Sequence, residues 1–431
     1  MSTMELEGLR TDAAPTVKQY LASLRRWALS LASLLVASCG HFDIENRERG
    51  DAGGGGVDGD RGVDANDPLC YGANLVGRQC FSQALTGSLD VNAPVSIITS
   101  MVGDNNCSEI RKQDNGPSLC ILAYRTITIH GPNTLRASGP NPLVLIAAES
   151  ISISGSVDVS SQAGGDPTAL GARAAPDCSS VNTDGPSGRP DPDPKADPYG
   201  GGGGAGGSLG SLGGAGGMSG LGAVAGGQPA PVTAPQVLVG GCAGGRGGEG
   251  VPKATATASN GGLGGAGGGA VYLLAGASLT ISGQVNASGT GGIGSVGDID
   301  GHDSGGGGGG GGSGGMIGLE APSITVTGAV FANGGGGGGG SGSLDDSGKP
   351  FPGLGGSGST EPFVAALGGA GGMNGGAGGN GSTGAAAGMP GANNQTYVEP
   401  GGGGGGGGGG VIRVFGTAPG SLGGMISPPA R

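Results

Sequence analysis

The chain has 431 residues, of which 111 are glycine and only 3% aromatic, so the part able to form a hydrophobic core is far smaller than the length suggests. Ordering glycine costs roughly 0.5 to 1 kcal/mol per residue more than alanine, and nothing apolar within the glycine runs offsets it. A formal charge of −12 without clustered Lys and Arg argues against phosphate recognition, so nucleic acid is not an expected partner.

Near the start, Arg25 and Arg26 precede an apolar stretch over residues 27–37. Charge followed by a short apolar run is the layout of a secretory signal, and the run is about half of the roughly 20 residues a spanning helix needs. It ends in Leu35-Val36-Ala37-Ser38-Cys39, which resembles the lipobox of bacterial lipoproteins: a branched aliphatic, two small residues, then the cysteine. The resemblance implies that residues 1–38 are a signal peptide removed before Cys39. It implies further that the Cys39 thiol carries diacylglycerol and that the new amine is acylated. At about 0.8 kcal/mol per buried methylene, two or three such chains hold a protein to a membrane where one hardly does. Arg25-Arg26-Trp27 also resembles, loosely, a twin-arginine signal, with Leu24 where that pattern has Ser or Thr. Gly40 stands where Asp would retain a lipoprotein at the inner membrane. By the same resemblance, the expected address is the outer membrane or cell surface.

Residues 39–68 carry this anchor and then a charged, glycine-rich tract with almost nothing to bury, the signature of a disordered linker. As a flexible coil, residues 43–68 would average roughly 28 Å end to end. Six further cysteines follow: Cys70, Cys80, Cys107, Cys120, Cys178 and Cys242. An even number in an exported chain reads as three disulfides. Sequential pairing is the simplest of the 15 connectivities that six cysteines allow. Zinc is the competing reading, without a C-x-x-C or a histidine at ligand spacing to support it.

The most informative pattern is an internal repeat. Residues 143–160 read LVLIAAESISISGSVDVS, residues 271–288 VYLLAGASLTISGQVNAS, and residues 316–333 MIGLEAPSITVTGAVFAN. Each is an apolar strand, a short connection, an alternating pair, a glycine and a second alternating pair. A looser copy covers residues 119–138, a half copy residues 87–92, and residues 411–415 look like the start of a truncated last one. Alternation puts Ile151, Ile153, Val157 and Val159 on one face and polar residues on the other, while Gly155, Gly283 and Gly328 suit a tight bend. One such unit cannot bury its apolar face alone, but stacked copies can. The expected fold is therefore all-β: a short repeat β-solenoid with long glycine-rich inserts, or a β-sandwich with glycine-rich loops.

This divides the chain into a disulfide-containing β-repeat region at 69–160, a glycine-rich insert at 161–269, and a second β-repeat region at 270–333. That second region contains an insert at 289–315, and another insert at 334–410 precedes a final strand and tail at 411–431. The inserts resemble in composition the repeat domains of mycobacterial PE-PGRS proteins and glycine-rich lipoproteins of high-GC soil bacteria. No PE-type helical domain precedes them, so that family's roles do not carry over. Collagen is excluded because glycine keeps no strict third-position register and proline is sparse. Two readings of the inserts stay open, packed bundles of three-fold glycine helices (polyglycine II) and solvated loops.

Few residues carry chemistry. Gly311 to Gly315 match G-x-S-x-G but lack the strand-to-helix turn that motif needs. A Ser-His-Asp triad would have to use His130 or His302, His41 lying in the linker. Asp298, Asp300 and Asp303 alternate around Gly301 and form a candidate calcium site, with a solvated acidic loop as the alternative. No other cofactor is expected. The function expected is a non-catalytic envelope or cell-surface lipoprotein with a structural, adhesive or binding role. It would meet a membrane through its anchor and take a glycan or protein as ligand. The rival is a carbohydrate-active enzyme, a polysaccharide lyase or hydrolase, by analogy with other β-helix scaffolds.

Overall fold

A computed structural model describes residues 69–103, 106–162, 170–172, 183–189, 199–229, 235–251, 260–296, 304–342, 351–394, 399–416 and 421–431. All belong to the second of two units, Gly55–Arg431. Cys39 with its lipobox, the linker, His41, Cys178, Asp298, Asp300, His302 and Asp303 lie outside the described residues.

Apart from one 3-10 turn at Gly220–Gly222, regular structure among the described residues is all strand, as the alternating pattern predicts. A short antiparallel hairpin comes first, β1 (Cys70–Tyr71) with β2 (Gln79–Cys80). The other strands are β3 (Ser88–Val91), β4 (Val95–Ile98), β5 (Glu109–Arg111), β6 (Leu119–Ile129), β7 (Thr134–Ser138), β8 (Leu143–Ile153), β9 (Ser156–Asp158), β10 (Ala270–Ala275), β11 (Ser278–Ile281), β12 (Gln284–Asn286), β13 (Met316–Ala321), β14 (Ser323–Val326), β15 (Ala329–Phe331), β16 (Val411–Gly416) and β17 (Met425–Ser427). They make two parallel ladders that follow chain order. One runs β3, β6, β8, then β10 with β11, then β13 with β14, and β16 beyond β13; the other runs β4, β7, β9, β12, β15, β17. Only β5, along β6, enters antiparallel.

Register lines like residues up across the copies. Leu89, Ile127, Ile151, Leu279 and Ile324 form one column. Cys120, Leu143, Val271, Ile317 and Ile412 form a second. Leu135, Val157, Val285 and Val330 form a third, in the other ladder. All three point into one core between the ladders. The first half of each copy is also buried on its outer side, where Val144, Ile146, Tyr272, Leu274 and Met316 meet Leu75, Val76, Leu209 and Leu238. Burial on both faces is why that half reads as an unbroken apolar run, whereas the second half alternates.

Two details differ from the sequence reading. Ungapped alignment puts Met316 opposite Val271, but Ile317 stands there and Met316 pairs with Ala270. The link from β13 to β14 is the single Pro322, against two residues from β10 to β11, and the strand shifts by one to keep its core face inward. The final copy is also more than a single strand. β17 pairs with β15, and the backbone of Arg431 bonds Ile412 and Val414 of β16.

The recurring glycines answer to clearance between copies. A Cβ on Gly283 would stand 1.9 Å from the Gly155 carbonyl oxygen, and one on Gly328 2.0 Å from that of Gly283. The close approach lets one carbonyl take two consecutive amides from the next copy: Ile153 O accepts Ser282 N and Gly283 N, both at 2.9 Å, and Ile281 O accepts Thr327 N and Gly328 N at 2.9 and 3.0 Å.

The described glycine segments are buried and bonded to one another rather than solvated. Along residues 307–314 every third amide donates to the same neighbour. Gly307, Gly310 and Ser313 donate to Gly248, Gly245 and Cys242; Gly308, Gly311 and Gly314 to Gly402, Gly405 and Gly408; Gly309 and Gly312 to Ile293 and Thr290. The carbonyls of the same rod accept from three others, near Gly204, Gly265 and Gly338. A three-residue turn sends successive bonds to three sides, so a rod donating to three neighbours and accepting from three more is enclosed on every side. Residues 201–207, 334–342 and 401–410 are enclosed in the same way, and all four inner rods are buried. A Cβ on Gly310 would lie 1.9 Å from Ala205 O. The outer rods have one free side, so every third residue there carries a side chain that faces out: Leu212 and Met218, Leu367, Ala370 and Met373, Met389 and Ala392.

Candidate functional site

Alternation along β7, β9 and β12 sends Leu135, Val157 and Val285 into the core, so their neighbours stand on the outer face of that ladder. Two polar columns result: Thr134, Ser156 and Gln284 in one, Arg136, Asp158 and Asn286 in the other. Residues Gly358 to Thr360 of the last insert wall this surface, with Ser161, Gln162 and Thr290 at its side, leaving a groove of about 420 Å3.

The second column is locked in place. The Asp158 carboxylate accepts hydrogen bonds from Arg136 Nη1, from Ser160 N at 3.0 Å and from Ser160 Oγ at 2.6 Å. Arg136 Nη2 reaches Ser160 O at 3.1 Å. One copy on, Asn286 Oδ1 accepts Ser288 N at 3.0 Å in the same turn. The wall is fixed from behind by Asn333, whose Nδ2 donates to Ser359 Oγ, Glu361 O and Pro362 O at 3.2, 3.0 and 2.9 Å, while its Oδ1 accepts Ser427 Oγ at 2.6 Å. The groove is thus pre-formed, and the one acid in its lining, Asp158, is neutralised by Arg136 beside it.

A second groove, about 760 Å3, lies where the β1–β2 hairpin crosses β10, β13 and β16. At its floor Glu320 Oε1 accepts Asn74 Nδ2 at 2.8 Å and Ala73 N at 3.0 Å, and Oε2 accepts the Tyr272 hydroxyl. Burial, reinforced by the Glu320 carboxylate, pushes the Tyr272 hydroxyl far above its ordinary range. Gly72 reaches this floor with φ +74°, where a Cβ would meet Leu274 Cδ2 at 3.0 Å. Oε1 thus ties the hairpin to the sheet, and Oε2 ties β13 to its neighbour β10.

Other sequence candidates fall elsewhere. Cys70 bonds Cys80 and Cys107 bonds Cys120, as sequential pairing predicts. Cys242 is also disulfide-bonded. Ser313, the serine of the G-x-S-x-G match, is fully buried, accepting Cys242 N at 2.8 Å and donating to Gly314 O at 3.1 Å. His130 Nε2 meets Asp90 Oδ1 at 2.6 Å at the surface, and the nearby Ser154 hydroxyl bonds the Ile129 carbonyl instead. No group of three or more His, Cys, Asp or Glu able to hold a metal occurs among the described residues.

The polar groove was only half legible beforehand. Asp158 and Asn286 were visible as the column after the repeat glycine, and Asp-x-Ser recurring as Asn-x-Ser marks the shared turn. Arg136, in the looser copy, and the wall from a distant insert were not. Known protein families, characterised proteins and solved structures contain no match to this chain.

Proposed function

We propose that this protein is a non-catalytic lipoprotein of a bacterial envelope, anchored through acylated Cys39 at the outer membrane or cell surface, with a structural or adhesive role. In this reading the two parallel ladders are a short β-solenoid and the rods beside them a polyglycine-II bundle. The observation that carries it is the division of the rods. Inner ones are nearly pure glycine, and outer ones carry a side chain at every third position, charged at Arg246 and Glu249 on one rod and almost wholly uncharged along the last insert. Residues 351–394 hold a single charged residue, Glu361. Such a plate is stiff, and its outward residues are free of packing duties, which suits contact with another surface. Export is supported by the lipobox and by disulfides, which persist outside the reducing cytosol.

The test joins palmitate labelling with protease shaving of intact cells. The expected result is label on the wild type, none on Cys39→Ser, and loss of the wild-type protein on shaving. An unlabelled wild type with reduced cysteines in the cytoplasm overturns the proposal. The carbohydrate-active enzyme has less support. Along the ladder Asp158 is followed by Asn286 and Phe331, not by the second carboxylate that acid–base cleavage of a glycoside requires.

A further inference from the structure

The geometry points to the polar groove beside β7, β9 and β12 as a binding site for a neutral glycan, an inference that rests on the binding role within the function proposed above. Three observations carry it. First, the side chains of Thr134, Ser156 and Gln284, aligned in one column, bond to no described residue. They offer two hydroxyls and a carboxamide, groups that both donate and accept, as sugar hydroxyls do. Second, the groove is electrically balanced, because Arg136 holds Asp158. A charged ligand would find no unpaired partner there. Third, Asn333 and the Asp158 and Asn286 turns pre-form floor and wall, so little order has to be gained on binding.

A peptide fits less well. Peptides are held by an open strand edge, by apolar pockets or by charge clusters. The groove lies on the face of a ladder in which β7, β9 and β12 are each paired on both sides, and its lining is hydroxyls, amides and the Arg136-bound Asp158 carboxylate, with no hydrophobic side chain. At about 420 Å3 it lies within the roughly 300 to 1,000 Å3 range of small-molecule sites. Neighbouring strands stand about 4.8 Å apart, comparable to the length of one pyranose ring, so the column presents one polar group per ring along a short glycan.

The test is saturation-transfer NMR and calorimetry on the detergent-solubilised full chain with cellohexaose, maltohexaose, mannohexaose and xylohexaose. An uncharged Ser/Asn hexapeptide serves as the competing probe. Binding of at least one hexasaccharide is expected, weakened tenfold or more by Thr134→Val with Gln284→Ala, two side chains that hold nothing else in place. The thermal midpoint should be unchanged. Failure of every hexasaccharide to bind, equal binding by the double variant, or transfer to the hexapeptide alone each overturns the inference. Palmitate labelling and shaving are unaffected by any of these results, so the anchored role stands or falls separately.

Discussion

The Tyr272 hydroxyl donates to Glu320 across two successive copies of the repeat, 48 residues apart in sequence. Burial and the carboxylate both favour the neutral phenol, raising its pKa above the ordinary 10.0. A group raised in the folded state stabilises the fold fully below its unfolded pKa, and that contribution is lost as pH climbs towards the folded value. Stability should therefore fall above about pH 10, by about 1.4 kcal/mol per pH unit for this one proton. In Tyr272→Phe the alkaline limb should be shallower by that slope, at a cost of about 1.5 to 3 kcal/mol at neutral pH, because a buried carboxylate loses a donor. Tyr71 and Tyr124, also raised by burial, titrate in both proteins, so the difference in urea unfolding between pH 9 and 11.5 isolates Tyr272.

Most positions of the enclosed rods are glycine with no clearance for a Cβ, whereas the outer rods carry side chains on their free side. Gly310→Ala puts a methyl 1.9 Å from Ala205 O and 2.4 Å from its carbonyl carbon, so two backbones must separate. A loss of about 1 to 3 kcal/mol is expected. Ala370→Leu, on an exposed position of an outer rod, should change stability by less than about 0.5 kcal/mol. Thermal melts of the two variants make the comparison, and equal effects would contradict the enclosed arrangement.

Amide exchange reads the same feature without mutation. The amides of residues 307–314 each donate to a neighbouring rod and are buried, so they should exchange only through global opening. Gly355, on an exposed outer position with no backbone partner for its amide, should exchange near the rate of free peptide. Mass-resolved exchange on overlapping fragments distinguishes them.

The Cys107–Cys120 bridge closes a 13-residue loop beside the first full copy, with both sulfurs buried. Replacing both residues by alanine should lower the unfolding free energy by about 3 kcal/mol, the scale for a loop of that size. The denaturant midpoint at fixed slope measures it.

The repeat was readable because two-residue alternation and a recurring glycine survive in three copies, and the sequential bridges because neighbouring cysteines fall close together. The one-residue offset at Met316 was not readable, since shortening a link by one residue leaves the apolar content of the segment unchanged. Order in the inserts was not readable from their lack of apolar residues, because burial there rests on backbone hydrogen bonds. Yet their inner and outer rods do differ in sequence. Uninterrupted runs such as residues 305–312 and 401–410 are enclosed, while patterns such as Leu367-Gly-Gly-Ala370-Gly-Gly-Met373 face out on one side.

Residues 401–410 sit among rods drawn from residues 201–217, 308–314, 335–341 and 376–392, bonding all of them. The piece that fills the middle is therefore synthesised after every rod around it. Until it arrives, half-built walls hold amides and carbonyls with no partner but water, and the bundle has nothing to close around. In the export proposed above, a chain in that condition would stay threadable through a narrow pore and would harden only once residues 401–410 had joined the rods around them.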